Sequence, residues 1–203
     1  MRCFSIFSLL LLSAVLSSLQ AGLLNGPMLA HLEMREAKIW VQTDAPAIVR
    51  IAYAAKEAEG DWAWSTPVET DAASGHTAVA TLDLVEPGLS YIYRVELNGE
   101  LVTNPATFNA PDNYYDRAPP PDFKIAVGGA HYMIEEGFEP PYQILGGGYD
   151  IFSTIAEAKP ALMVWAGNTA HLRPSDQASR SGYLKRFTTA RSVPQLKALL
   201  QSV

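Results

Sequence analysis

Apolar and polar positions change their period once along this chain, and the change divides it. From residue 26 to about residue 109, apolar side chains recur every second position or in short runs. Ala37, Ile39 and Val41 alternate with Lys38, Trp40 and Gln42; residues 48–53 and 77–82 are further β-rich runs. Residues 91–97 alternate up to Asn98-Gly99, a pair suited to the positive-φ turn of a hairpin, and residues 103–108 close the set. Short strands at this spacing, with no helical period among them, predict a small β-sandwich.

The second half reads differently. Residues 123–127 and 161–165 are two short apolar runs, each ending at glycine, Gly128 and Gly167. Between them lie Gly146, Gly147 and Gly148 and a helical pattern that opens near Tyr149-Asp150 and places Ile151, Phe152 and Ile155 on one face before Lys159-Pro160. A second helix over about 182–189 groups Tyr183, Leu184 and Phe187. A third starts at Ser192-Val193-Pro194, where proline suits the first turn, and carries a Leu196, Leu199, Leu200 stripe. Strands apolar on both faces predict a parallel sheet covered on both sides, with ligands bound at the carboxyl ends of its strands. Two strands are few for an independent sheet. The expectation is therefore the opening of a larger α/β domain, either truncated or with its exposed sheet edge covered by a protein partner or a second copy.

Between the halves, Pro111 and Pro119-Pro120-Pro121 with Asp112, Asn113 and Asp116 hold the backbone extended, which reads as a linker. At the start, Arg2 precedes an apolar stretch over 7–16 and small residues ending at Ala21. That stretch is shorter than the roughly 20 residues needed to span a bilayer, so it reads as a signal peptide, with export to a secreted or periplasmic location and no stable membrane anchor after cleavage. The expected organisation is a leader over 1–21, a sandwich over 22–110, a linker over 111–121 and a partial α/β domain over 122–203.

Charge and cysteine usage narrow the chemistry. The formal net charge is −6, which argues against nucleic acid, because phosphate binding needs a clustered basic face. The densest basic group, Lys185-Arg186 with Arg180 and Arg191, reads as a solvated helix face; Glu135, Glu136 and Glu139 read as a solvated acidic loop. The one cysteine, Cys3, lies in the leader, so the mature chain has neither disulfide nor thiolate ligand. No Gly-x-Ser-x-Gly elbow and no Gly-Lys-Ser/Thr after the glycine triplet is present. Trp40, Trp62 and Trp64 are read as packing residues before carbohydrate contacts.

Leu84-Val85-Glu86-Pro87-Gly88-Leu89-Ser90-Tyr91 resembles the corner of fibronectin type III-like domains, which implies that the Tyr91 hydroxyl bonds back to the connecting backbone. From Phe123 onward, the Gly148-Tyr149-Asp150-Ile151-Phe152 run, Met163-Val164-Trp165-Ala166-Gly167, and Arg191-Ser192-Val193-Pro194 with Leu199-Leu200 resemble secreted alkaline phosphatases and phosphodiesterases of the PhoD type. The resemblance implies a fibronectin-like domain followed by a calcineurin-like metallophosphoesterase domain, with two metal ions of iron and calcium type. In that family the first strand ends Gly-Ser-Cys, with a thiolate ligand; here Gly128 matches, and Gly129 and Ala130 replace the others. The second strand ends Gly-Asp-Asn followed by Tyr. Gly167 and Arg173 match their positions, whereas Asn168, Thr169 and His171 replace Asp, Asn and Tyr. The family's Asp-x-His-Asp motif would fall beyond Val203.

A two-metal hydrolase needs anionic donors to hold two cations about 3.5–4 Å apart. The candidates left at the strand ends are Asn168, His171 and His131, which include no carboxylate. The expectation is a secreted PhoD-like phosphatase homologue that is truncated and catalytically degenerate, with a binding or scaffold role and no catalytic residues. The alternative is an active metal-dependent phosphomonoesterase or phosphodiesterase with altered ligands or completed by a partner chain, acting on a phosphate ester. A third reading is a gene fragment without selected function.

Overall fold

A computed structural model describes residues 21–129, 131–135 and 148–202. Residues 1–20 of the leader, Ala130 and Gly146-Gly147 lie outside them. β1 (Leu23–Leu32), β2 (Ala37–Thr43) and β6 (Thr77–Leu82) form one antiparallel sheet in the order β1-β2-β6. β3 (Ile48–Ala55) and β7 (Ser90–Leu97) centre the other. β4 (Ala63–Trp64) and β5 (Val68–Glu69) pair with β3, and β8 (Glu100–Leu101) and β9 (Ala106–Asn109) pair with β7. The alternation seen in the sequence orients each strand. Ile39, Val41, Val49, Ile51, Tyr53, Leu82, Val95 and Leu97 point into one core between the sheets and are fully buried.

The pattern did not anticipate all of these strands. β1 is interrupted by Asn25-Gly26-Pro27 and meets β2 through three register shifts, so its alternation breaks. Gly26 takes φ +91°, and a side chain there would meet the Trp40 carbonyl at 2.8 Å. β4, β5 and β8 are two residues each, too short to show a period.

In the second half β10 (Ile125–Gly128) and β11 (Leu162–Trp165) pair in parallel, Ile125 opposite Leu162 and Val127 opposite Val164. The helices are α1 (Asp150–Glu157), α2 (Pro174–Gln177), α3 (Arg180–Arg191) and α4 (Pro194–Ser202). The Ser179 hydroxyl caps α3 by accepting from the Gly182 N–H at 3.1 Å, so the helix starts before the apolar stripe that marked it. Phe152, Ala190, Val193, Leu196 and Leu199 form a second core under one face of this small sheet. The other face corrects the expectation of cover on both sides: among the described residues Ile125, Val127, Leu162 and Val164 remain 49, 69, 52 and 40% exposed.

The two halves also touch directly, beyond residues 111–121. Asn25 Nδ2 donates to Gln42 Oε1 at 2.9 Å and to the Thr188 carbonyl at 3.3 Å, and Gln42 Nε2 donates to Thr188 Oγ1 at 2.8 Å. Lys197 and Gln201 of α4 donate to the carbonyls of Leu24 and Gly26.

Candidate functional site

The loops leaving β10 and β11 are laced together by backbone hydrogen bonds. Ala166 N–H donates to the Gly128 carbonyl at 2.7 Å, His131 N–H to Asn168 at 3.2 Å, and His171 N–H to His131 at 2.9 Å. Gly129 permits this approach, because a Cβ there would lie 2.8 Å from the Gly167 carbonyl. Gly167 and Asn168 turn the chain with φ of +99° and +49°, conformations that glycine and asparagine adopt most readily. The topology thus brings the backbones of His131, Asn168 and His171 together.

Their side chains have different surroundings. The His131 ring is buried, edge-on to Phe152 at 5.0 Å and to Tyr149 at 5.7 Å, and among the described residues neither ring nitrogen has a hydrogen-bond partner within bonding geometry. Burial pushes its pKa down; the Thr169 backbone opposes this and the nearby Arg186 charge adds to it, with the net favouring the neutral ring. Asn168 and His171 are exposed, with Asn168 Nδ2 3.3 Å from His171 Nδ1.

Charge around these loops is organised in a way the sequence concealed. Arg186 belongs to the basic group read as solvated, yet its side chain is 2% exposed. It donates to the carbonyls of His171 (2.9 Å) and Met133 (3.2 Å) and to Glu135 (3.3 Å), and it lies 3.6 Å from Asp176. Glu135, read as part of a solvated acidic loop, also accepts from Arg173 at 2.8 Å and faces Lys185 at 3.9 Å. Arg191 stacks over Trp40 and Phe187, and Arg180 donates to the Ala73 carbonyl. Of the four basic residues, Arg180 and Lys185 are exposed as the solvated reading expects, whereas Arg186 is buried and Arg191 half-buried. Glu136 and Glu139 lie outside the described residues.

This donor set does not fit a pair of iron or calcium ions. Asn168 offers a neutral oxygen, His131 is enclosed by aromatic rings, and the carboxylate of Glu135 is already shared among three cations. Among the described residues no group of three or more His, Cys, Asp or Glu is placed to hold a metal.

Elsewhere, Tyr91 Oη accepts from the Glu86 N–H at 2.8 Å and donates to the Leu84 carbonyl at 3.3 Å, fixing the turn before β7. Arg50, paired with Glu96 through two hydrogen bonds, lies over the Trp64 ring at 4.5 Å, while Trp62 is half-buried.

A family model described as a domain of unknown function (DUF7800) matches residues 20–115, the β-rich half. No curated protein matches the sequence. The solved structure of PhoD is similar over 90% of this chain and 36% of its own, with TM-score 0.60 and 16% identity. The purple acid phosphatase PPD1 from yellow lupin (Lupinus luteus) seeds is similar over 87% of this chain and 33% of its own, with TM-score 0.60 and 14% identity. This chain shares its fold with the matching part of each of these two structures. It spans about a third of the length of these two structures.

Proposed function

We propose that this chain is a secreted PhoD-like phosphatase homologue that does not itself hydrolyse phosphate esters and acts by binding. Its β-rich half is the fibronectin III-like part of that architecture, and the leader over 1–21 directs export. The observation that carries the reading is the engagement of Glu135 by Arg173, Arg186 and Lys185 beside strand ends that present Gly128, Gly129 and Asn168. Among the described residues, Glu135 and Asp176 are engaged by arginines and Asn168, His131 and His171 carry no negative charge, a set too weak to hold two multivalent cations against water and generate hydroxide at neutral pH.

Metal analysis of the purified chain, combined with turnover of a chromogenic phosphate monoester and diester, tests this. The expected result is metal well below one equivalent per chain and turnover at the level of the buffer. Stoichiometric iron with measurable hydrolysis overturns the reading.

A further inference from the structure

A cavity of about 640 Å³ lies between β1 of the sandwich and the α/β half, bordered on one side by Thr169 and Ala170 of the loop leaving β11. Leu29, Met163, Phe187, Leu199 and Leu200 line it, and Arg191, the last residue of α3, stands on its wall. This size falls within the range of about 300–1,000 Å³ typical of small-molecule sites, whose walls are mostly apolar with few charged groups.

Arg191 is the unusual member. Arg35, Arg50, Arg173 and Arg186 each face a carboxylate. Arg191 is half-buried, and its guanidinium lies 5.0 Å from the Trp40 ring and 5.5 Å from the Phe187 ring. Among the described residues no hydrogen bond or ion pair engages it. Two aromatic faces and the carbonyl end of α3 hold the cation in place, yet they leave its five N–H donors unspent. Burial lowers its pKa, the signature of a charge deprived of water without a counter-ion. Glu33 also lines the cavity, but its side chain is 66% exposed and lies 3.9 Å from His31.

From this pairing of an apolar cavity with an uncompensated guanidinium, we infer that the cavity binds a single-chain aliphatic carboxylate. The tail fills the space among the leucines and Met163, and the carboxylate takes two N–H donors of Arg191. Arginine suits the task because its planar fork matches a carboxylate bidentately. The cavity borders the β11 loop but uses none of Asn168, His171 and His131, so it stands or falls independently of the phosphoesterase reading.

The test is tryptophan fluorescence of the full chain, since Trp165 lines the cavity and Trp40 lies under Arg191. Bromododecanoate should quench saturably, dodecanol should compete weakly, and dodecyltrimethylammonium should not compete. Arg191→Met should weaken bromododecanoate binding about tenfold, the worth of a charge-assisted hydrogen-bond pair, and leave dodecanol unchanged. Ala161→Phe, at an exposed position on the lining, should weaken both without altering the fold. The proposal is overturned by absence of saturation, by equal affinity for the cationic amphiphile, or by unchanged binding in Arg191→Met. Dissociation of a dimer in step with quenching, seen by sedimentation velocity, also overturns it, because the cavity would then belong to a second copy.

Discussion

Tyr91 and Tyr93 sit two apart on β7, both rings buried in the sandwich core and both against Phe108, yet their hydroxyls have different surroundings. Burial pushes the Tyr93 pKa from 10.0 up to about 12. Below pH 10 the phenol is neutral in both the folded and the unfolded chain, so it contributes its full share of stability. As pH rises from 10 toward 12 the unfolded chain ionises first and binds fewer protons than the folded one, so stability falls, by an amount on the order of 2–3 kcal/mol once pH exceeds the folded pKa. Urea unfolding of Tyr93→Phe should show a shallower decline over that window than the parent; identical declines would sink the assignment. The slope left over belongs partly to Tyr53, which burial also raises. Single residues were legible in the sequence where their partners are close in the chain. The Tyr91 corner closes within seven residues and could be read directly. Arg186 could not, because its partners Glu135 and Met133 lie about fifty positions upstream, and nothing in a helical pattern distinguishes a solvated arginine from one drawn inward.

At the scale of elements, β10 and β11 carry alternation whose consequence depends on what covers them. Ile125, Val127, Leu162 and Val164 pair in register on one exposed face, while Met163 and Trp165 turn the other way and are half-buried. An exposed apolar sheet face of this kind promotes association between chains. Val127→Lys is expected to change stability by no more than about 0.5 kcal/mol, as at a surface position, while raising the concentration at which light scattering begins. Destabilisation of about 2 kcal/mol or more, the cost of disturbing a packed core, would mean that this face is covered in solution. The sequence predicted both strands, their parallel order and the three longer helices because each carries several turns or alternations of period. The four-residue α2 and the two-residue strands carry less than one full repeat, so no period marks them.

For the whole molecule, the decisive feature is the contact between the halves. Asn25 and Gln42 are 1% and 4% exposed, and both are satisfied across the contact by Thr188, with Gly75 and Ser192 completing the set. Gln42→Ala removes one of the two acceptors of Asn25 Nδ2 and the side-chain donors to the Gly75 carbonyl and Thr188 Oγ1, at a cost of about 1–3 kcal/mol. Calorimetry should then show a lower melting temperature, and limited proteolysis should cut faster within 111–121. A melt and a cleavage rate equal to the parent's would show that the contact adds nothing. The sequence by itself determined where strands give way to helices, which positions alternate toward the sandwich core, and that the strand ends carry glycine and asparagine and no carboxylate. Those properties are local, set by period, turn chemistry and side-chain type. Only the tertiary structure decided that Arg186 and Glu135 neutralise each other, that His131 is enclosed by Tyr149 and Phe152, and that Arg191 stacks on Trp40 and Phe187 at a cavity wall. Such properties depend on which distant groups exclude water from one another, and no spacing along a chain records that.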